Sequence, residues 1–231
     1  MRRLLTSLLF TITFIGGTNA QLLYKISGRG LQKPSYIIGT HHLASASFVD
    51  QITGAHEAFD AVEQVYGEVD MSKIDANEAL KIMYLADGKN LKDMFSEEEM
   101  ERINAYMRTV LGSDFTNPFI NSQFGKMRPF VLATQLTMMQ YIRITPDFNP
   151  NSLIDSFFQQ EAHKCGKSVG GLETSEFQYQ LLYGSKSDEE EREALLKIVD
   201  NNEAALAEMQ ELTKLYLNED VKHLYKLMQR E

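Results

Sequence analysis

Residues 36–43 read Tyr-Ile-Ile-Gly-Thr-His-His-Leu, an apolar β-type run that stops at a glycine and two histidines. A run of this kind belongs in a sheet, and an open α/β sheet presents its ligands beyond the carboxyl ends of its strands. Histidine is the commonest side-chain metal ligand and the one whose ordinary pKa lies near neutrality. Two acidic segments, Gly67-Glu68-Val69-Asp70 and Gly170-Gly171-Leu172-Glu173, also fall at or just after strand-type runs. One histidine with several carboxylates at strand ends is the raw material of a divalent-metal site.

The strands sit among long stretches of helical period. Gln21–Ser27 and Tyr36–Gly39, joined through Gly28-Arg29-Gly30, predict a hairpin. A helix over about 50–62, with Ile52, Ala55, Phe59 and Val62 on one stripe, leads into a strand over Gln64–Val69, an order that suggests a parallel crossover. Helices are expected at Ala76–Ala86, Glu97–Leu111 and Pro129–Ile142, with Ser96 and Glu99 forming a capping box. Asn151 or Ser152 is positioned to cap a helix that ends at Gly166, before a third core strand over Lys167–Leu172. Ser175 and Gln178 match a second capping box, and residues 188–231 are helical in pattern with a break near Asn218. The fold class is therefore α/β: a mixed β-sheet with flanking helices and a largely helical middle and C-terminal region.

The first twenty residues have their own logic. Arg2 and Arg3 precede the apolar run Leu4–Ile15, and Thr18-Asn19-Ala20 offers a small-residue cleavage site. This is the layout of a secretory signal peptide over residues 1–20, with one domain over 21–231 that is periplasmic or extracellular. The apolar run is too short to span a bilayer core of roughly 30 Å, and no cysteine follows it to carry a lipid anchor. Removing Arg2 and Arg3 takes the net charge from −9 to −11. So acidic a domain is a poor partner for nucleic acid, which needs clustered Lys and Arg. Cys165 is the only cysteine, so no internal disulfide forms, and a free structural thiol is the simple reading.

Side chains alternate faces along a strand, so if the strand continues through them His41 and His42 cannot both enter one site. One is a ligand candidate and the other is supporting or core. Glu68 and Asp70 share a face, where two buried carboxylates need a cation or a Lys or Arg partner. Glu173 precedes a helix N-terminus, whose dipole favours a carboxylate with or without a metal. His56, His163 and His223 read as helix-surface residues. No phosphate loop, Gly-x-Ser-x-Gly elbow or Cys-x-x-Cys pair occurs. The pieces fit metal-assisted hydrolysis, in which His42 and Glu173 hold a metal that activates water and Glu68 acts as general base or further ligand.

At these residues the chain resembles the TraB/GumN family, which includes the Tiki-type metalloproteases. The resemblance rests on Gly39-Thr40-His41-His42-Leu43, matching a Gly-x-x-His motif; on Glu68-Val69-Asp70; and on Gly171-Leu172-Glu173-Thr174 with Glu176 and Gln178. The opening around Tyr24–Gly28 and Lys33–Tyr36, and the segment around Asp155, are also similar to the family. The resemblance aligns His42, rather than His41, with the family histidine. It implies an α/β fold and, by analogy with the Tiki branch, hydrolysis of a peptide or protein substrate with manganese or cobalt, zinc being an alternative. It also implies a second Gly-x-x-His near the C-terminus, whereas here only Gly39 stands three residues before a histidine. The expectation is therefore a domain lacking its last part, with an intact active site in question and an exposed sheet edge or apolar face. A non-catalytic peptide- or ligand-binding protein of the same fold is the rival expectation, and a remnant needing a partner is another.

Overall fold

A computed structural model describes residues 21–28 and 30–229. The signal-peptide expectation for residues 1–20 falls outside them.

The chain begins with the expected hairpin, β1 (Leu23–Ile26) antiparallel to β2 (Ser35–Ile38), with Leu23 opposite Ile38 and Ile26 opposite Ser35. The expected helix after it is broken. A 3₁₀ turn over Ala46–Gln51 gives way at Gly54, in the left-handed region at φ 81°, to a short helix α1 (Ala55–Ala61). Glycine enters that region without the Cβ penalty, so it resets the chain where the periodicity alone predicts continuation.

Strand β3 (Gln64–Val69) follows, but its parallel partner is β4 (Ser168–Glu173) rather than β2. The strands therefore form two small sheets, β1·β2 and β3·β4, set among helices. The helix that joins them mechanically is α6 (Ile154–Lys164). One face of β3·β4 receives it closely: a Cβ on Gly67 would lie 2.2 Å from the Gln159 amide nitrogen, so a side chain there would displace that amide. Gln159 donates to the Val69 carbonyl at 2.9 Å and accepts from the Met71 amide at 3.0 Å. Helix α6 is antiparallel to the strand that follows it, and its N-terminal turn therefore overhangs the carboxyl ends of β3 and β4. The opposite face of the sheet stays open, with Tyr66 lying over Gly170 and both Tyr66 and Leu172 exposed.

Between the strands run α2 (Ala76–Met83), α3 (Glu97–Leu111), α4 (Pro118–Phe124) and α5 (Pro129–Ile144). Ser96 and Glu99 form the expected reciprocal cap. Helix α6 begins after Leu153, with no side-chain cap from Asn151 or Ser152, and ends as expected with Gly166 at φ 69°. Beyond β4, the cap of α7 (Ser175–Tyr179) is Thr174, whose hydroxyl accepts from Phe177 N–H, rather than Ser175. A π-turn over Gln180–Gly184 leads to α8 (Asp188–Asp200), capped reciprocally by Ser187 and Glu190. The tail breaks at Asn201 as well as at Asn218, giving α9 (Asn202–Leu217) and α10 (Val221–Met228).

Two buried clusters carry most of the core. Ile103, Met107, Leu132, Leu136 and Leu195 weld α3, α5 and α8, with Leu91 from the 3₁₀ turn Leu91–Met94 packed among them. Leu22, Phe48, Val49, Ile52, Ile154 and Tyr216 join the hairpin, the 3₁₀ turn, α6 and α9 around the chain that leaves β2. That second cluster positions the histidines.

Candidate functional site

The histidine turn leaves β2 tethered at both ends of Gly39. Its N–H donates to the Leu22 carbonyl, and its own carbonyl accepts the Tyr216 hydroxyl, both at 2.9 Å. β2 ends at Ile38, before the histidines, yet His41 and His42 take different partners.

His41 is half-buried, with Nε2 2.9 Å from Thr213 Oγ1 and its ring 5.4 Å from that of Tyr216. Thr213 gives its only hydroxyl proton to the Met209 carbonyl and accepts from the Tyr141 hydroxyl. A hydroxyl has one proton and two lone pairs, so it must accept from His41, which is therefore protonated on Nε2. Burial, reinforced by the charge of His42, holds the His41 pKa down to about 4. At neutral pH His41 is an uncharged structural donor.

His42 is the exposed member, and its Nδ1 lies 2.7 Å from Asp155 Oδ2 in the first turn of α6. The hydrogen bond to Asp155 raises the His42 pKa; partial burial opposes it, and the charges of Asp155 and Glu68 add to it. Burial alone would push the Asp155 carboxyl up. It is outweighed by hydrogen bonds from His42 and Thr40 and by the two imidazoles, so Asp155 stays below its ordinary range. The pair thus holds His42 with Nδ1 engaged and Nε2 without a partner among the described residues. A carboxylate orienting one ring nitrogen raises the basicity of the other, an arrangement common to metal-bound and acid–base histidines.

The acidic residues are distributed around this pair. Glu68 is exposed, close enough for its charge to act on His42, and accepts from the Gln178 side chain at 3.0 Å. Gln178 is thus spent on Glu68 rather than on a capping box. Glu173 is half-buried at the end of β4, in register with Val69, and no side-chain hydrogen bond or ion pair to it occurs among the described residues. By strand alternation it leaves the α6 face of the sheet, whereas Glu68 leaves the open face. Asp70 has a local role: it caps the 3₁₀ turn Met71–Lys73, accepts from Ser72 and pairs with Lys73 at 2.8 Å. The lysine partner weighed from the sequence is the one found. Glu176 is exposed in the first turn of α7, where its charge acts on Lys81.

The remaining histidines are peripheral. His56 pairs with Asp50, His163 is exposed in the last turn of α6, and His223 pairs with the capping Asp220. Cys165 is free and exposed.

Among the described residues no three His, Cys, Asp or Glu side chains converge as a metal cage. His42 Nε2 is one suitable donor, but the opposed faces of Glu68 and Glu173 keep the carboxylates from completing the set. Sequence reasoning missed Thr213 and Tyr216, and it met Asp155 only as part of a segment similar to the family. Asp155 lies 113 residues from His42, and no local spacing signals such a pairing.

No curated protein and no solved structure matches the chain. The model of the TraB/PrgY/gumN family does match, over residues 22–231, and thereby spans both histidines, Asp155 and the acidic strand ends. The chain belongs to the TraB/PrgY/gumN family.

Proposed function

We propose that this protein is exported and hydrolyses peptide bonds at the His42–Asp155 pair. The observation that carries the reading is the 2.7 Å contact, which leaves the other ring nitrogen without a partner among the described residues, beside an acidic strand end. Here His42 Nε2 takes a proton from water as the oxygen attacks the peptide carbonyl, and returns a proton to the departing amine. Asp155 balances the imidazolium between those steps. Glu68 adds a second negative charge that favours the protonated ring and a cationic segment of substrate.

A divalent cation such as manganese, cobalt or zinc would use His42 Nε2 with carboxylates from Glu68 and Glu173. The described residues do not bring those donors together, so the cation has no complete seat in them and no step is assigned to it. That same observation favours a second reading, a peptide-binding protein of the same fold that does not cleave.

The test is cleavage of a mixed peptide library by the full chain, with and without manganese, cobalt, zinc or a chelator, alongside His42→Ala and Asp155→Asn. Cleavage lost in both variants supports hydrolysis at this pair. Peptide binding without cleavage, weakened by His42→Ala, supports the second reading. Neither binding nor cleavage by a folded chain overturns both.

A further inference from the structure

We infer that helix α9 is a clamp on the histidine turn, and that Thr213 and Tyr216 are positioning residues for His42. The inference rests on the proposed role of His42 but concerns a different part of the molecule. Residues 39–42 lie beyond the β1·β2 ladder, and the Gly39 N–H bond to the Leu22 carbonyl ties only the start of the turn to the hairpin. Further anchors on the histidine turn come from α9. Tyr216 is 2% exposed and donates its hydroxyl to the Gly39 carbonyl, while its ring packs 5.4 Å from His41 and 5.5 Å from Phe48. One helical turn earlier, Thr213 accepts the His41 Nε2 proton.

His41 and His42 bond to different helices, the first to Thr213 on α9 and the second to Asp155 on α6. Fixing the first ring from α9 therefore fixes the backbone that delivers the second ring to Asp155 on α6. The buried Thr213 hydroxyl is fully used, bonded to Met209, Tyr141 and His41, so its geometry tolerates little drift. The turn is held between two helices, α9 bonding His41 and α6 bonding His42. Hydrophobic packing alone would require the Tyr216 ring but neither hydroxyl.

That distinction supplies the test. Tyr216→Phe and Thr213→Val remove a hydroxyl and keep the packing volume, while Thr213→Ser keeps the hydroxyl. The first readout, independent of any reaction, is the nitrogen-15 spectrum of His42 in the full chain, where Nδ1–H bonded to a carboxylate gives a downfield proton. The second is the split between kcat and KM for any peptide the wild type cleaves. The clamp predicts that the downfield proton is lost in Tyr216→Phe and Thr213→Val and retained in Thr213→Ser. It also predicts that kcat falls about tenfold at constant KM in the first two, the rate equivalent of one hydrogen bond. Retention of the proton at wild-type intensity in Tyr216→Phe refutes the clamp, even if Thr213→Val fails to fold. A wild type that shows the proton but cleaves nothing overturns the hydrolase reading and leaves the clamp to be decided by the spectra alone.

Discussion

Gly170 and Gly171 are neighbours in one strand, yet an alanine should behave very differently at the two. At Gly171 the added Cβ would meet only backbone: the Asp70 nitrogen at 2.6 Å, the Glu173 oxygen at 2.9 Å and the Val69 carbonyl carbon at 3.2 Å. Ordinary contact begins near 3.4 Å, so β3 and β4 must separate by about 0.8 Å there (3.4 − 2.6). Backbone cannot swing aside, and overpacking of this kind costs roughly 1–3 kcal/mol. At Gly170 the same methyl meets the Tyr66 ring at 2.6 Å, but that side chain is 57% exposed and free to rotate outward. Its cost should stay within about 0.5 kcal/mol, as at most surface positions. For a chain of this size, the Gly171→Ala loss corresponds to about 2–12 °C in Tm, at some 2–4 °C per kcal/mol. Urea titration followed by far-ultraviolet circular dichroism, run in parallel on wild type, Gly170→Ala and Gly171→Ala, measures the difference directly. Equal midpoints for the two variants would refute the argument, because they would show that the strand ends are not pressed together as described.

Three further outcomes follow from charges and caps. Glu191 is 1% exposed on α8 and is ion-paired with Arg128 without a well-aligned hydrogen bond, so Glu191→Ala should cost about 3–5 kcal/mol in chemical denaturation by leaving the guanidinium uncompensated. Adding Arg128→Met should recover much of that loss. The Lys73 ammonium and the Ser72 hydroxyl hold the Asp70 carboxyl down to about 2 from an ordinary 3.8, so its stabilising effect is complete above 3.8 and lost as pH falls towards 2. Asp70→Asn should flatten that part of an acid-unfolding curve and leave the neutral limb shape unchanged. Ser96→Ala removes one half of the reciprocal cap on α3 and should lower stability by about 1 kcal/mol in the same urea assay.

Local chemistry was legible where one segment decides its own fate. The Ser96–Glu99 box, the Gly166 stop and the hairpin are local decisions, and all three are where the sequence places them. Legibility fails where a distant partner competes. Gln178 has the right spacing for a capping box but reaches Glu68, leaving Thr174 to cap the helix. The parallel partner of β3 lies far along the chain, whereas the sequence suggests a crossover from the neighbouring strand β2. Alternation separates His41 and His42 only in a strand that continues through them, whereas β2 ends at Ile38 and their separate partners decide their directions. That Asp155 engages His42, and that α9 engages His41, could not be read in advance, because each contact crosses more than a hundred residues.

The pairing of β3 with β4 bears on the order in which the molecule assembles. Gln64 meets Ser168, a separation of 104 residues (168 − 64), whereas Ile26 and Ser35 close the hairpin across 9 (35 − 26). Closure entropy grows as (3/2)RT ln n, so the parallel pair costs about 2 kcal/mol more to bring together than the hairpin. The intervening helices shorten that search only once they are themselves in place. Hairpin and helices should therefore form early and the β3·β4 ladder late. Because α6 seats Asp155 over that ladder, the imidazole–carboxylate pair is a product of the final stage of folding. A variant that slows closure far from either residue would leave its mark as a lag before the pair appears, even when the protein at equilibrium is indistinguishable from the wild type.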